Sequence, residues 1–345
     1  MSQLQLGLLI LGAVVLSAIA VYNAWLARKN RPRQPYAPGT EVDSLLPSQL
    51  DSEPSFDASE FDVDKFPLPA PEKKTGLDAL IDVIAPISLE SPVSGDAVLA
   101  AMPPTRRVGS KPFAIEGLNT VGLRWEVAVA GQRYSQLQAG VQLANRSGAL
   151  NDIEFSEFVM KTQGFCDVLN GTPDFPVMRE EVSRARELDQ FASDHDAQLG
   201  FMLRARRAAW SPSYIQQTAA RLGFVAGAMA GRMVLPACVG SAPVLSLNFD
   251  ALAALAEDPT QSALRELTLS LDVAHVSRSE RAFARMRESA LALAKEMDGT
   301  VTDDNGMALA SDDLDIIAAE LEQLYDTLEQ RELAAGSPLA RRLFS

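Results

Sequence analysis

Hydrophobic positions change their spacing several times along the chain. Leu80-Ile81-Asp82-Val83-Ile84-Ala85-Pro86-Ile87 is an almost unbroken apolar run with the length of a buried strand, ended near Pro92. Leu123–Val127 and Gln138–Leu143 alternate, as half-buried strands do. The plainest alternation comes later. Leu267, Leu269, Leu271 and Val273 share one face, and Thr268, Ser270 and Asp272 share the other. Then the period becomes helical. Phe283, Met286, Ala290, Leu293 and Met297 step by three and four, with Gly299 as the expected stop. Leu314, Ile317, Leu321, Leu324 and Leu328 repeat that spacing. Ser311 is the expected N-cap, and Asp312 and Asp313 suit the positive end of the helix dipole. Between the two helices, Asn305-Gly306 predicts a tight turn.

The N-terminal stretch follows neither period. From Leu4 to Leu26 no side chain is charged, and 23 residues make a helix of about 35 Å, enough to cross a hydrocarbon core of about 30 Å. Tyr22 and Trp25 sit at its end and Arg28, Lys29, Arg31 and Arg33 follow. No Lys or Arg precedes it. The positive-inside rule then puts the N-terminus outside and the rest in the cytoplasm. A signal peptide would have the opposite charge order. Residues 28–76 are a basic flank and linker. Within them, 33–75 hold seven prolines and nine acids and few large aliphatics, the composition of a disordered tether. Phe56, Phe61 and Phe66 recur among its acids.

Composition narrows the function. Forty-five acids against 31 bases give a net charge of −14 over 345 residues, the wrong balance for a phosphate-backbone binder, so no nucleic-acid partner is expected. Two cysteines, Cys166 and Cys238, exclude a disulfide scaffold and read as buried thiols. His195 and His275 are the only histidines. His195 ends a predicted helix, and nothing nucleophilic is tied to either residue. The chain has no G-x-S-x-G, phosphate-cradling loop or C-x-x-C. Asp303-Asp304-Asn305-Gly306 has Val301 where a calcium loop needs its first ligand, so it reads as a hairpin turn. No catalytic residue, metal or cofactor is expected. Met202, Met229 and Met233 suit either a core or an adaptable binding surface.

The globular part reads as one unit written twice. Phe175-x-x-Met178-Arg179-Glu180 recurs as Phe283-x-x-Met286-Arg287-Glu288. At nearly the same offset, Glu187-Leu188-Asp189 recurs as Glu296-Met297-Asp298, and Phe155–Val159 resembles Leu264–Thr268. Ser91-Pro92 and Ser211-Pro212 each follow a strand-like run and open a helix-like one.

Several stretches resemble the ZipA family of bacterial division proteins. The leader LQLGLLILGAVVL…VYNAW with its basic flank is similar to the ZipA anchor. Leu222-Gly223-Phe224, Gly240-Ser241-Ala242-Pro243 and Leu245-Ser246-Leu247 resemble the family's middle strands. The helix to Met297, then Asp298-Gly299-Thr300-Val301-Thr302-Asp303-Asp304 and Ser311, resemble its end. The resemblance covers residues 1–30 and about 199–331. It implies an α+β split β-α-β head, an antiparallel sheet with helices on one face, duplicated here, behind a single transmembrane helix and a disordered linker. The expected divisions are anchor 1–27, flank and linker 28–76, first unit 77–198, second unit 199–331 and tail 332–345.

The resemblance implies a function as well: tethering FtsZ filaments to the cytoplasmic face of the inner membrane. The partners implied are the FtsZ C-terminal tail and the lipid bilayer. Carried over by position, the docking residues are Met202, Met229, Phe249 and Ser270. Arg204 shares the face of Met202 and attracts an acidic tail. Ser270 stands where the family has a large aromatic. Residues 77–198 have no counterpart in a single-headed ZipA. The alternatives are an anchored scaffold for another partner and, further off, a tethered hydrolase using His195 or His275.

Overall fold

The computed structural model describes residues 76–238, 242–256, 262–303 and 305–345. The expected anchor with Tyr22, Trp25, Arg28, Lys29 and Arg31, and the linker to residue 75, lie outside them. Among the described residues no helix is long and apolar enough to cross a membrane. Two compact units result. The first holds residues 76–198, 272–279 and 315–345; the second holds 199–271 and 280–314.

The first unit runs β1 (Asp82–Leu89), β2 (Val93–Ser94), α1 (Gly95–Ala101), β3 (Arg107–Val108), β4 (Lys111–Asn119), β5 (Trp125–Val127), β6 (Arg133–Gln142), β7 (Ala144–Asn145), β8 (Gly148–Ala149), α2 (Asp152–Leu169), β9 (Gly171–Pro173) and α3 (Met178–His195). Its main sheet has the order β3-β4-β6-β1-β9, with β5 beside β4. The register explains the core. Val83, Ala85 and Ile87 of β1 oppose Val141, Ala139 and Leu137 of β6, and Phe113 and Ile115 of β4 oppose Val141 and Ala139 from the other side. All eight are buried. Helix α2 closes this face, with Phe158 edge-on to Phe113 at 6.1 Å. Its start is fixed by a capping box in which Asn151 and Glu154 each hold the other's backbone N–H.

The second unit runs β10 (Gln198–Ala205), α4 (Pro212–Arg221), β11 (Val225–Ala226), β12 (Arg232–Leu235), β13 (Leu245–Asn248), α5 (Ala251–Ala254), β14 (Glu266–Asp272), α6 (Ala282–Met297) and β15 (Gly299–Thr302). Helix α7 (Ser311–Gln330) begins in this unit and continues in the first, where α8 (Pro338–Leu343) also lies. The sheet order is β11-β12-β13-β14-β10-β15. Met233, Leu247 and Leu269 align across three strands and are buried. Phe201 of β10 meets Phe283 of α6 edge-on at 6.1 Å. The indole of Trp210, fully buried, donates to Met297 O at 2.8 Å and ties the loop before α4 to the end of α6.

Strands β1 and β6, β4 and β6, β10 and β15, and β13 and β14 pair antiparallel, as expected of an α+β fold. Both units also have one connectivity. A first strand (β1 or β10) leads to a Ser-capped helix, a meander, a long helix and a short strand. The first strand lies between the last meander strand and that short strand in each sheet.

Four details differ from the sequence expectations. The offset that carries Phe175 onto Phe283 is not the one at which elements correspond. Phe155–Val159 is helical in α2, while Leu264–Thr268 enters strand β14. By position in each unit, α6 answers to α2, not to α3. The Phe-x-x-Met match fell between amphipathic helices, which share a three-four spacing whatever their place in a fold. Ser94, not Ser91, caps α1, by accepting from Ala97 N at 3.2 Å. The chain leaves α6 at Asp298, with φ +53°, instead of at Gly299. Gly299 instead sits in a tight space: a Cβ there would lie 3.2 Å from the Trp210 ring and 3.3 Å from Arg204 O. Finally, Cys166 is buried but Cys238 is exposed.

Candidate functional site

A sheet covered by helices on one side has a second side to account for. In the second unit that side carries Met202 and Arg204 of β10, Arg232 and Val234 of β12, Ser246 and Asn248 of β13, and Thr268 and Ser270 of β14. Ser270 lies opposite the buried Leu269 and Leu271, as its alternation predicted. Hydrogen bonds knit the middle of this face. Asn248 Nδ2 donates to Ser270 Oγ at 3.3 Å, Ser270 Oγ donates to Ser246 O at 3.2 Å, and Arg232 Nη2 donates to Ser246 Oγ at 2.9 Å. On β10, Arg204 Nε points to Met202 Sδ at 3.3 Å and lies 3.8 Å from Glu266 Oε2. A shallow cavity of about 530 Å³ opens at one end of β13 and β14, between Asn248 to Asp250 and Ala263 to Thr268.

The residues carried over from the family therefore separate. Met202, Arg204 and Ser270 share the open face. Met229 lies in the turn between β11 and β12 and is 60% exposed. Phe249 follows Asn248 on the core side of β13, is 9% exposed, and also lines the cavity at the strand end. Met233 is a core residue.

The corresponding face of the first unit differs in chemistry. It presents Ile84 and Pro86 of β1, Gln136, Gln138 and Gly140 of β6, Ala114, Glu116 and Leu118 of β4, and Trp125 and Val127 of β5, so that its apolar side chains gather toward β5. Trp125 opposes Leu118 and Val127 opposes Glu116, which places all four on one side. Trp125 is 40% and Val127 38% exposed, and Val121, Leu123 and Val129 beside them are more so. Sequence reasoning missed this surface. Its signal was the odd-numbered parity of Leu123, Trp125, Val127 and Val129, since a strand with polar partners only at 124 and 126 shows an apolar edge to solvent.

Each histidine ring is tied to a backbone carbonyl. His195 Nδ1 bonds Phe191 O at 2.7 Å and its ring stacks on Phe191 at 4.3 Å. His275 Nε2 donates to Phe344 O at 2.8 Å. Among the described residues no group of acids, histidines and cysteines could hold a metal ion. Asp303, Gly306 and Met307 form the expected turn: Gly306 N donates to Asp303 O at 3.0 Å and Met307 N to Asp303 Oδ1 at 2.7 Å. Burial pushes the Cys166 thiol up to about 11, which makes it a poor nucleophile. Lys111 is fully buried; its Nζ donates to Asn145 Oδ1 at 3.0 Å and Ser110 Oγ at 2.8 Å. Desolvation lowers its pKa, against the pull of Glu154 and Asp189.

Residues 255–320 fit the family described as ZipA, C-terminal FtsZ-binding domain. The match spans β14, α6, β15 and the start of α7. It supports the resemblance read from the sequence. No curated protein matches the chain.

Proposed function

We propose, from a chain whose residues 255–320 carry the ZipA FtsZ-binding-domain pattern, that it is a division adaptor that holds FtsZ filaments at the inner membrane. Residues 1–27 insert in the bilayer with the N-terminus in the periplasm, the linker spaces the folded units from the surface, and the second unit docks the FtsZ C-terminal tail. Tethering raises the concentration of the tail receptor near the membrane and needs no chemistry. The two units derive from a duplication, which their common connectivity supports.

The observation that carries this reading is the family match on the unit whose sheet leaves one face open. Met202 supplies an apolar contact there and Arg204 a charge beside it. The polar centre built by Asn248, Ser270 and Ser246 favours a tail that also hydrogen-bonds across the strands. The same polarity favours a second reading, an anchored scaffold for a more polar partner peptide.

One experiment separates the two. Binding of a fluorescent FtsZ C-terminal peptide to the full chain in nanodiscs is measured by anisotropy, for the natural sequence and for Met202→Asp with Arg204→Glu. Saturable binding that drops at least tenfold in the double variant is expected. Absence of binding by the natural chain rejects the FtsZ assignment, and undiminished binding by the variant moves the site off this face. Flotation of the chain with vesicles, lost on removal of residues 1–27, tests the anchor.

A further inference from the structure

Strand β5 lies at an edge of the first unit's sheet. Among the described residues it pairs with β4 alone. The register fixes which of its backbone groups are already used. Arg124 O accepts from Asn119 N at 3.0 Å, and two residues on, Glu126 lies opposite Gly117. Along an antiparallel pair the backbone groups that face the partner alternate. Arg124 and Glu126 therefore turn theirs toward β4, and Trp125 and Val127 turn theirs away. The outer side of β5 thus offers a ladder to another strand. Native edges are commonly blunted by lysine, proline or a bulge. The residues that turn outward here are Trp125 and Val127, with exposed apolar side chains.

This edge is complementary to itself. Read outward from Trp125, Arg124 matches Glu126, Leu123 matches Val127 and Val121 matches Val129. Two antiparallel copies with Trp125 on the two-fold axis set Arg124 of each across from Glu126 of the other. These two residues share one face, since Arg124 Nε and Glu126 Oε2 are 3.1 Å apart within the chain. The paired edge therefore closes a ring of four alternating charges on that face. On the other face Trp125 meets its own copy, and Leu123 falls beside Val127. The backbone agrees, because the residues brought together on the axis are ones that turn outward. Moving the axis to Arg124 or to Glu126 keeps that parity but sets like charges directly opposite, which is destabilising.

We propose that β5 of the first unit pairs antiparallel with β5 of a second copy about Trp125, joining two chains edge to edge through a two-fold interface. The seam is short, because Leu123 with φ +45° turns out of the extended stretch, so the pair is a reversible one. A pair holds two second units in one assembly. That this strengthens the grip on a filament rests on the FtsZ reading; the pairing itself does not, and its test uses no FtsZ.

The test is disulfide trapping between full chains in detergent micelles, with Cys166→Ala and Cys238→Ser as background. Chains with Arg124→Cys are mixed with size-tagged chains carrying Glu126→Cys. In the proposed register these two positions face each other without a hydrogen bond between them, with Cα atoms about 4.5 Å apart and within disulfide reach. Under mild oxidation the mixed product should form at least ten times faster than either same-position product. It should also outpace by as much the product of Met160→Cys, a control that replaces a 67% exposed side chain on α2 of the same unit. Adding Trp125→Asp to both populations should abolish the excess. Mixed and same-position products at equal rates, or no product above the control, would overturn the proposal. Should the cysteine background fold poorly, sedimentation of the otherwise natural full chain over a concentration series gives an independent reading. Arg124→Glu lines the seam with four acids and should raise the midpoint of self-association at least tenfold. An unchanged midpoint, or no self-association of the natural chain, would count against pairing as firmly.

Discussion

Arg342 Nη2 lies 2.5 Å from Asp82 Oδ1, an ion pair between the last helix of the chain and the first strand of the first unit. Asp82 is 1% exposed. The same helix segment supplies Arg342 O to Gln142 Nε2 at 2.7 Å, and it buries Ala340, Leu343 and Phe344. The final residues are therefore structural parts of the first unit.

Removing Arg342 leaves a buried carboxylate without its counter-ion. Arg342→Ala should destabilise the first unit by about 3 kcal/mol at neutral pH, as measured by urea denaturation. Burial already holds the Asp82 pKa above its ordinary value, against the opposing pull of Arg342. Without Arg342 it rises further. The defect is present while Asp82 is ionised and fades as pH falls through the raised pKa. Natural and variant stabilities should thus converge on acidification. A gap that widens toward low pH would contradict this account.

Phe249 and Met202 should respond differently to mutation. Phe249→Ala removes a buried aromatic ring and should cost about 3 kcal/mol of stability in the second unit. Met202→Asp changes a half-exposed position on the open face and should leave the unfolding midpoint nearly unchanged while weakening the tail peptide. Thermal unfolding and anisotropy on the same samples check both.

Gly299 is a packing constraint. Gly299→Val places branched carbon against the Trp210 ring and the Arg204 carbonyl, which are already at 3.2 and 3.3 Å from a Cβ. A loss of about 2 kcal/mol is expected, by overpacking, with a matching change in the near-UV signal of Trp210.

The two thiols should differ in reactivity. At pH 8 a thiol reagent should modify Cys238, which is exposed, long before Cys166, which is buried and raised to about 11. One fast equivalent, and a second only in denaturant, is the expected count. Two fast equivalents would show that α2 opens readily.

The sequence matches between the two halves do not fall on elements that correspond in the fold, and the helices show why. Asn151-Asp152-Ile153-Glu154 carries a clear capping box for α2, yet Phe155–Val159 after it also resembles the stretch that enters strand β14. Phe155, Phe158, Phe165 and Cys166 line the buried side of that helix, and such spacing looks alike in any amphipathic helix. Strand β14, by contrast, was legible to within a residue because strict alternation tolerates only one assignment.

The chain by itself determined its local periods: the alternating strand around Ser270, the helices ending near Met297 and Gln330, the absence of catalytic motifs, and the family resemblance around residues 255–320. These depend on neighbours in sequence, and side-chain spacing encodes them directly. Only the tertiary structure decided that Phe249 faces the core, that Trp125 and Val127 share a face with Leu118 and Glu116 in the first unit, and that Arg342 closes on Asp82. Each of these depends on which strands lie side by side, and pairing between residues up to 260 positions apart leaves no periodic trace in either partner.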